Sequence, residues 1–334
     1  MQQLLKVRKW IEYLINSNKV AFEEPWSLLP LQGDASCRCY FRLNLPSASM
    51  IVVASPVQKI DNAVFVNIAR HWAEFTVKVP EVYQVESQLG LMLIEDFGEQ
   101  HLYDVVANHY KDDLYELALD QLQLIQQTPN AYLPSFDRPF LLREMTLFDT
   151  WLVQYQLDLA APPSLLTTYE VLIENALEQP QVTMHRDFHS RNLLLAGGKI
   201  AVIDFQDAVK GPLAYDLVSL LKDCYITLEP EQVDCLISVY LKRLNTSSLL
   251  DKHIDKQQFI KWFDLIGMQR HLKVLGLFIR LGVEDEKSSY LKHLPRVFNY
   301  VLGVTVKYTE FAEFHIWLKD TVQPELQKQC WYLS

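Results

Sequence analysis

Residues 185–205 read His185-Arg186-Asp187-Phe188-His189-Ser190-Arg191-Asn192-Leu193-Leu194-Leu195-Ala196-Gly197-Gly198-Lys199-Ile200-Ala201-Val202-Ile203-Asp204-Phe205. Two short apolar runs joined by Gly197-Gly198 predict a two-residue β-hairpin, because both turn positions need positive φ. The register follows by counting. With Ala196 facing Lys199, each step back along one strand matches a step forward along the other, so Asn192 comes opposite Ile203 and beside Asp204. An amide and a carboxylate meet at the open end of the hairpin, with a second carboxylate, Asp187, five residues upstream. Oxygen donors of this kind suit a hard cation such as Mg2+, which completes its shell with water and phosphate; they do not suit zinc.

Asp187, His189 and Asn192 taken singly are ordinary turn-capping residue types. Together, His-Arg-Asp, an Asn five residues on, the hairpin and Asp204 match the catalytic loop and metal-binding strand end of kinases. Phosphoryl transfer asks little covalent chemistry of a protein. It needs metal ions to neutralise phosphate charge and a carboxylate to orient the acceptor hydroxyl and take its proton. Asn192 and Asp204 fit the first task and Asp187 the second.

Upstream of this loop the chain changes character once. Lys6, Arg8 and Lys9 lie among Leu4, Leu5, Val7, Trp10, Ile11, Leu14 and Ile15 at helical period, which predicts a packed amphipathic helix rather than a signal peptide. Leu29 to Ala54 reads as three strands separated by Gly33-Asp34-Ala35-Ser36 and Leu45-Pro46-Ser47. A helix from Ala63 to Phe75 and strands near Pro80–Val85 and Leu91–Glu95 complete a sheet with one helix in it. Beyond Glu95-Asp96-Phe97-Gly98 helical patterns dominate, including Glu231 to Arg243, Gln257 to Arg280 and Leu291 to Leu318. The expected division is residues 1–95 as a nucleotide-covering lobe and residues 96–334 as a catalytic and acceptor-binding lobe, hinged at Glu95 to Glu99.

The catalytic residues resemble those of the aminoglycoside phosphotransferase and choline kinase family. The resemblance implies an α+β, protein-kinase-like two-lobe fold, with a small antiparallel-sheet N-lobe and a larger, mainly helical C-lobe, using ATP as co-substrate and Mg2+. Gly211-Pro212 and Asp216 stand where the family has a Gly and a downstream Asp. Asp216 would accept backbone N–H bonds of the catalytic loop, and a carboxylate at a helix N-terminus is also favoured by the dipole. His185 is similar to the family's structural histidine. Backbone groups of Glu95 and Phe97 would take the adenine, and the loop carrying Ser36 would overlie the phosphates with its N–H groups.

Kinases generally carry a phosphate-binding Lys on the third strand, paired to a helix Glu. Here that strand ends in Ala54-Ser55. Either the protein binds nucleotide without turnover, as a pseudokinase regulator, or the cation comes from elsewhere. Arg38, Tyr40 and Arg42 alternate on the preceding strand and so face one way, and Lys59 is a further candidate. Gly33-Asp34-Ala35-Ser36 with Arg38, Tyr40 and Arg42 and no strand lysine resembles the anomeric kinases of N-acetylmuramate and N-acetylglucosamine. So do Leu93 to Gly98, Asp204 to Ala208, Gln269-Arg270, Gly276 and Arg280. That likeness spans nearly the whole chain. It implies phosphorylation of an amino sugar's C1 hydroxyl in cell-wall recycling, where an acidic anomeric hydroxyl needs only a carboxylate base. The alternative acceptor is an amine such as an aminoglycoside, choline or homoserine, which would require several acids converging on the pocket.

For the acceptor side, Glu144, Phe148 and Trp151 fall on one helical stripe. Phe148 reads as core, while Glu144 and Trp151 are candidates to line the site. Asp207, three residues past Asp204, is a candidate for a sugar hydroxyl. Arg270 suits either a muramate's lactyl carboxylate or a surface ion pair. A net charge of −10 argues against general nucleic-acid affinity. Five cysteines, odd in number and without metal-ligand spacing, suggest a reduced compartment. No apolar run reaches the roughly 18 residues of a membrane span, so the expected location is cytoplasmic.

Overall fold

The computed structural model describes every residue except 1, 18, 21–24, 32–36, 107–110, 248, 251–252 and 333–334. Along the chain come α1 (Gln2–Asn16), β1 (Ser27–Leu31), β2 (Cys39–Asn44), β3 (Ser49–Ala54), α2 (Asn62–Glu74), β4 (Val82–Glu86), β5 (Leu91–Glu95) and α3 (Leu102–Val105). Next are α4 (Lys111–Gln127), α5 (Arg138–Leu147), a π-helical segment (Phe148–Gln156), α6 (Pro163–Glu178), β6 (Gln181–Met184), β7 (Leu193–Ala196), β8 (Lys199–Val202) and β9 (Val209–Pro212). Helices α7 (Tyr215–Leu221), α8 (Pro230–Thr246), α9 (Lys256–Glu284), α10 (Leu294–Thr305), α11 (Ala312–Trp317) and α12 (Gln323–Gln327) follow. The chain packs as two units: residues 1–108 with 192–206, and residues 109–191 with 207–334.

In the first unit the antiparallel sheet runs β1-β2-β3-β5-β4. Its register sets Phe41 opposite Val52 and Val52 opposite Leu93. That face, with Leu43, Ala54 and Leu91, is covered by Val7, Trp10, Ile11 and Leu14 of α1, as the amphipathic pattern predicts. Strand alternation sends Tyr40, Arg42, Ile51, Val53 and Met92 to the opposite face.

The hairpin forms in the counted register. Gly197 and Gly198 have φ of 60° and 72°, Ala196 pairs with Lys199, and the Ile203 N–H donates to the Asn192 carbonyl at 3.0 Å. It belongs to the first unit. Leu195 N–H donates to Gln100 O and Val202 N–H to Lys78 O, both at 2.8 Å, and the Phe205 ring stacks on Phe65 at 4.7 Å and leans on Trp72 at 5.5 Å. These contacts explain why the unit takes in 96–108 and 192–206, where a boundary at residue 95 was expected. The turn containing Ser36 lies outside the described residues.

In the second unit α9 is central, packed against α5, α6, α7, α10 and the π-helical segment. It is buried on nearly every side from Phe263 to Gly276, as a helix at the heart of a bundle must be. Leu291–Leu318 is not the continuous helix that periodicity suggests. Lys307 Nζ and Tyr308 Oη both donate to Asp264 Oδ2 at 3.0 Å and fix a turn after α10, with a short 3-10 helix at Thr309–Phe311 before α11.

Gly276 is required by close approach. A Cβ there would lie 2.0 Å from Leu147 O and 2.6 Å from Phe148 N, where α5 passes into the π-helical segment. Gly276→Ala is expected to lower unfolding free energy by at least about 2 kcal/mol in urea titration, from overpacking against backbone. A neutral result would show that α9 and α5 are not in this contact. Phe205→Ala, which empties a fully buried site in the first unit, is expected to cost about 3–5 kcal/mol in the same assay.

Candidate active site

The loop 185–191 leaves β6, which is paired to β9 from Gln181–Pro212 to Met184–Val209. Because the loop is irregular, its backbone N–H groups need partners, and two buried carboxylates supply them. Asp216, in the first turn of α7, accepts from His185 N at 2.6 Å and Arg186 N at 3.0 Å. Asp223 accepts from Ser190 N at 2.9 Å and Tyr225 N at 2.8 Å. Arg186 has φ of 78°, a left-handed conformation that non-glycine residues hold only where the surroundings enforce it. His185 is fully buried, and its Nδ1 accepts from Asp187 N–H at 3.2 Å. That places the ring proton on Nε2 and makes the side chain a structural support.

Asp187 is half-buried among cations. Burial pushes its carboxyl up, but Lys273, His189, Arg186 and Arg270 pull harder, and it settles below the usual carboxylate range. Two of those cations share one anion. Glu144 Oε1 pairs with Arg186 Nη2 at 2.7 Å and Lys273 Nζ at 3.3 Å, in a buried triad spanning α5, the loop and α9. Its Oε2 is buried without a partner. Glu144, expected to line an acceptor site, is thus an internal anchor of the loop.

Arg270 is not at the surface. It is 3% exposed, and its Nη1 contacts Cys224 Sγ at 3.4 Å, so the expected surface ion pair is not what it makes. Trp151 is half-buried, its ring 5.2 Å from that of Tyr155. It lies in the π-helical segment, whose wider turns carry it round from the Glu144 stripe. Phe148 is fully buried core. Asp207 is exposed, and its backbone carbonyl accepts from Arg186 Nη1 at 3.4 Å.

In the first unit Asn192 and Asp204 stand at the hairpin's open end. Asp204 is exposed with φ of 64°, and its Oδ1 accepts from Gln206 Nε2 at 2.8 Å. An amide oxygen and an exposed carboxylate fit Mg2+ as donors. Arg42 bonds Asp96 bidentately, Nε to Oδ2 at 2.6 Å and Nη2 to Oδ1 at 3.2 Å. It also reaches Gly98 O at 3.3 Å and pairs with Glu99. Arg42 therefore clamps residues 96–99 to the sheet and is not left over to serve as a substitute lysine. Just past β3, where the expected strand lysine is absent, Ser55 Oγ donates to Asn62 Oδ1 at 2.7 Å, a buried neutral pair. Arg38 is buried, Tyr40 half-buried and Lys59 exposed. Glu95 and Phe97 line an open pocket of about 470 Å³ with Lys78, Gly98 and the hairpin tip.

A profile of the phosphotransferase enzyme family matches residues 27–247. The chain belongs to that family. This phosphotransferase is 35% identical over 294 residues to the N-acetylmuramate/N-acetylglucosamine kinase of Pseudomonas aeruginosa, covering 86% of this chain and 87% of that one. With the protein of the same name from Neisseria meningitidis serogroup B it shares 33% identity over 336 residues, covering 97% and 98%. Plasmodium vivax ethanolamine kinase superposes with a TM-score of 0.62 at 14% identity, covering 87% of this chain and 85% of that one. Choline kinase LicA from Streptococcus pneumoniae gives 0.62 at 12%, covering 89% and 99%. Aminoglycoside phosphotransferase APH(2'')-Ib, ADP-bound, gives 0.56 at 15%, covering 91% and 98%. These likenesses establish the α+β, protein-kinase-like fold.

Lys273, Arg186 and Asp223 are site residues that the sequence reading passed over. Lys273 had one available signal, since it lies three residues after Arg270 and so on the same face of α9. Glu144→Gln would leave two buried cations without their anion, and is expected to cost about 3–5 kcal/mol of stability in urea unfolding. Adding Lys273→Met should recover part of that loss; a double variant no better than the single would argue against the triad.

Proposed function

We propose that this phosphotransferase transfers the γ-phosphoryl group of ATP to the anomeric hydroxyl of N-acetylmuramate and N-acetylglucosamine, a step in cell-wall sugar recycling that draws on cytoplasmic ATP. The observation that carries the reading is Asp187, a carboxylate kept ionised by surrounding cations on a loop fixed from behind by Asp216 and Asp223. The sugar acceptor is supported by similarity to the two kinases named above, over 86% and 97% of the chain.

In this reaction Asp187 orients the C1 hydroxyl and takes its proton. Asn192 and Asp204 would hold Mg2+, which would supply the charge that phosphoryl transfer requires. Backbone groups at Glu95 and Phe97 receive the adenine on the segment clamped by Arg42, and Arg38 and Tyr40 serve the phosphate side, together with the loop of Ser36. Asp207 and Trp151 contribute to the acceptor side, and Glu144 acts through Arg186. The charge around Asp187 disfavours a cationic acceptor: Lys273, Arg186 and Arg270 face it, and Glu144 is already paired with two cations.

A coupled ADP-release assay with Mg-ATP and a panel of N-acetylmuramate, N-acetylglucosamine, kanamycin, choline and homoserine tests the reading. Turnover is expected on the amino sugars, falling about a hundredfold or more in Asp187→Asn. Turnover confined to an amine, or retained in Asp187→Asn, would sink it. The depressed Asp187 carboxyl also predicts a pH profile. Wild-type kcat/KM should show no break from Asp187 between about pH 5 and 8, and Lys273→Met should raise the acid break toward the ordinary value of about 3.9 or above. The stability this carboxylate contributes is present above its unfolded-state value and is lost as pH falls through the lower folded-state value, hence below about pH 4.

A further inference from the structure

Tyr215 and Asp216 are neighbours in the first turn of α7. Asp216 takes the loop amides, and Tyr215 sits with the charges behind the loop. Its ring packs edge-on against Phe136 at 5.5 Å, Phe136 tilts against Phe140 at 4.9 Å, and the Arg186 guanidinium lies 4.9 Å from the Phe140 ring centroid. Tyr215 is fully buried. Burial above all pushes its hydroxyl up to about 12, with Lys273 and Arg270 pulling down and Glu144 and Asp187 pushing up, so it stays protonated and can donate. Its Oη nevertheless has no hydrogen-bond partner, and the same holds of Glu144 Oε2, Arg186 Nε and both amide atoms of Gln269, all of them buried. Gln269 is fully buried one helical turn before Lys273, on the same face of α9. That helix packs on α5, which carries Glu144, and on α7, which carries Tyr215. A phenolic hydroxyl, a carboxylate oxygen, a guanidinium N–H and a carboxamide thus gather unmet around one triad. Each costs stability if left so, and a phenylalanine ring would pack on Phe136 equally well without that cost. Buried groups of this kind are met by ordered water, which commonly makes about three hydrogen bonds.

We infer that Tyr215 is a positioning residue for the transfer: its hydroxyl donates to ordered water shared with Gln269, that water donates to Glu144 Oε2, and the bridge fixes Glu144 between Arg186 and Lys273. This rests on Asp187 acting as the base in the reaction proposed above. Glu144 meets both cations through Oε1, Arg186 Nη2 at 2.7 Å and Lys273 Nζ at 3.3 Å. A carboxylate held at one oxygen can swing about it, and a swing would move both cations that act on Asp187. Holding Oε2 as well removes that freedom. Tyr215 and Glu144 act on each other electrostatically without being hydrogen-bonded, which is the relation a single bridging water accommodates. Two adjacent residues of α7 then share one task, Asp216 fixing the loop backbone and Tyr215 the charges beneath it.

The test pairs high-resolution crystal structures of wild type and Tyr215→Phe with the ADP-release assay on N-acetylmuramate and N-acetylglucosamine, run for both proteins and for Gln269→Met. In wild type, water is expected within hydrogen-bond distance of both Tyr215 Oη and Glu144 Oε2. In Tyr215→Phe that water should be lost and the Glu144 carboxylate should turn away from Arg186 or Lys273. The same variant is expected to lose at least about tenfold in kcat, and Gln269→Met about threefold, from misplacement behind the reacting group. KM for ATP should stay within about twofold, and the urea midpoint of Tyr215→Phe should not fall. A merely structural hydroxyl would instead lower the midpoint and leave kcat alone. Wild-type crystals without water on these two atoms, or with a direct bond between them, overturn the inference with no variant needed. So does a Glu144 carboxylate unmoved in Tyr215→Phe. A kcat within about twofold of wild type on the amino sugars refutes the positioning role and leaves the kinase reading intact. A bridging water and a displaced Glu144 in a protein that turns over neither sugar uphold the link from Tyr215 to the triad and refute that reading.

Discussion

Two N–H bonds to one buried carboxylate organise the catalytic loop. Asp216 receives the His185 and Arg186 amides, and without it that stretch of irregular backbone would be buried with unmet donors. The demand is severe because Arg186 turns into the left-handed region. Once the turn is fixed, Phe188 goes into the core and Asp187 is left half-buried beside it. Burial pushes the Asp216 carboxyl up to about 7, against the pull of the two amides and Arg270. Its placement in the first turn of α7 adds the favourable end of a short helix, so the dipole and loop-holding roles coincide.

The charges behind the loop follow from that geometry. Arg186 is carried inward by its unusual backbone, and its guanidinium needs an anion, which Glu144 supplies from α5. Lys273 reaches the same oxygen from α9. Such a triad is a poor way to gain stability, since desolvation offsets most of the attraction. What it does provide is a fixed positive environment for the half-buried Asp187 carboxylate. α9 thus serves as the central helix of its unit and as the source of two cations acting on Asp187.

The parts of the site that were legible in the sequence are those set by local geometry. Gly197-Gly198 dictates a turn, the turn dictates a register, and the register brings Asn192 beside Asp204 without knowledge of any other element. The amphipathic helix α1 and the strands β2, β3 and β5 were legible for the same reason. What escaped depends on packing between distant segments. Lys273 matters only because α9 crosses α5, and periodicity says nothing about that crossing. Trp151 was assigned to a stripe by counting α-helical turns through residues that form a wider helix. Arg42 alternates as expected, yet its partners lie more than fifty residues away at Asp96 and Glu99. The helical pattern does not continue past Thr305 because Asp264, on another helix, fixes the turn through Lys307 and Tyr308.

The absent strand lysine has a physical counterpart in the first unit. A lysine at the end of β3 would be buried where Ser55 and Asn62 now bond, and it would need a carboxylate from α2 to offset its desolvation. α2 offers an amide instead, so a lone lysine there would be an unpaired buried charge. The neutral pair is therefore self-consistent, and a single Ser55→Lys change would not restore the kinase arrangement. Arg42 is committed to the segment that follows β5, where it stiffens the backbone expected to meet adenine. Under the proposed reaction, phosphate charge in this unit would then fall chiefly to the ion that Asn192 and Asp204 would hold. This makes the hairpin register, and the Phe205 ring that seats the hairpin against Phe65 and Trp72, more consequential here than in a kinase with its lysine in place.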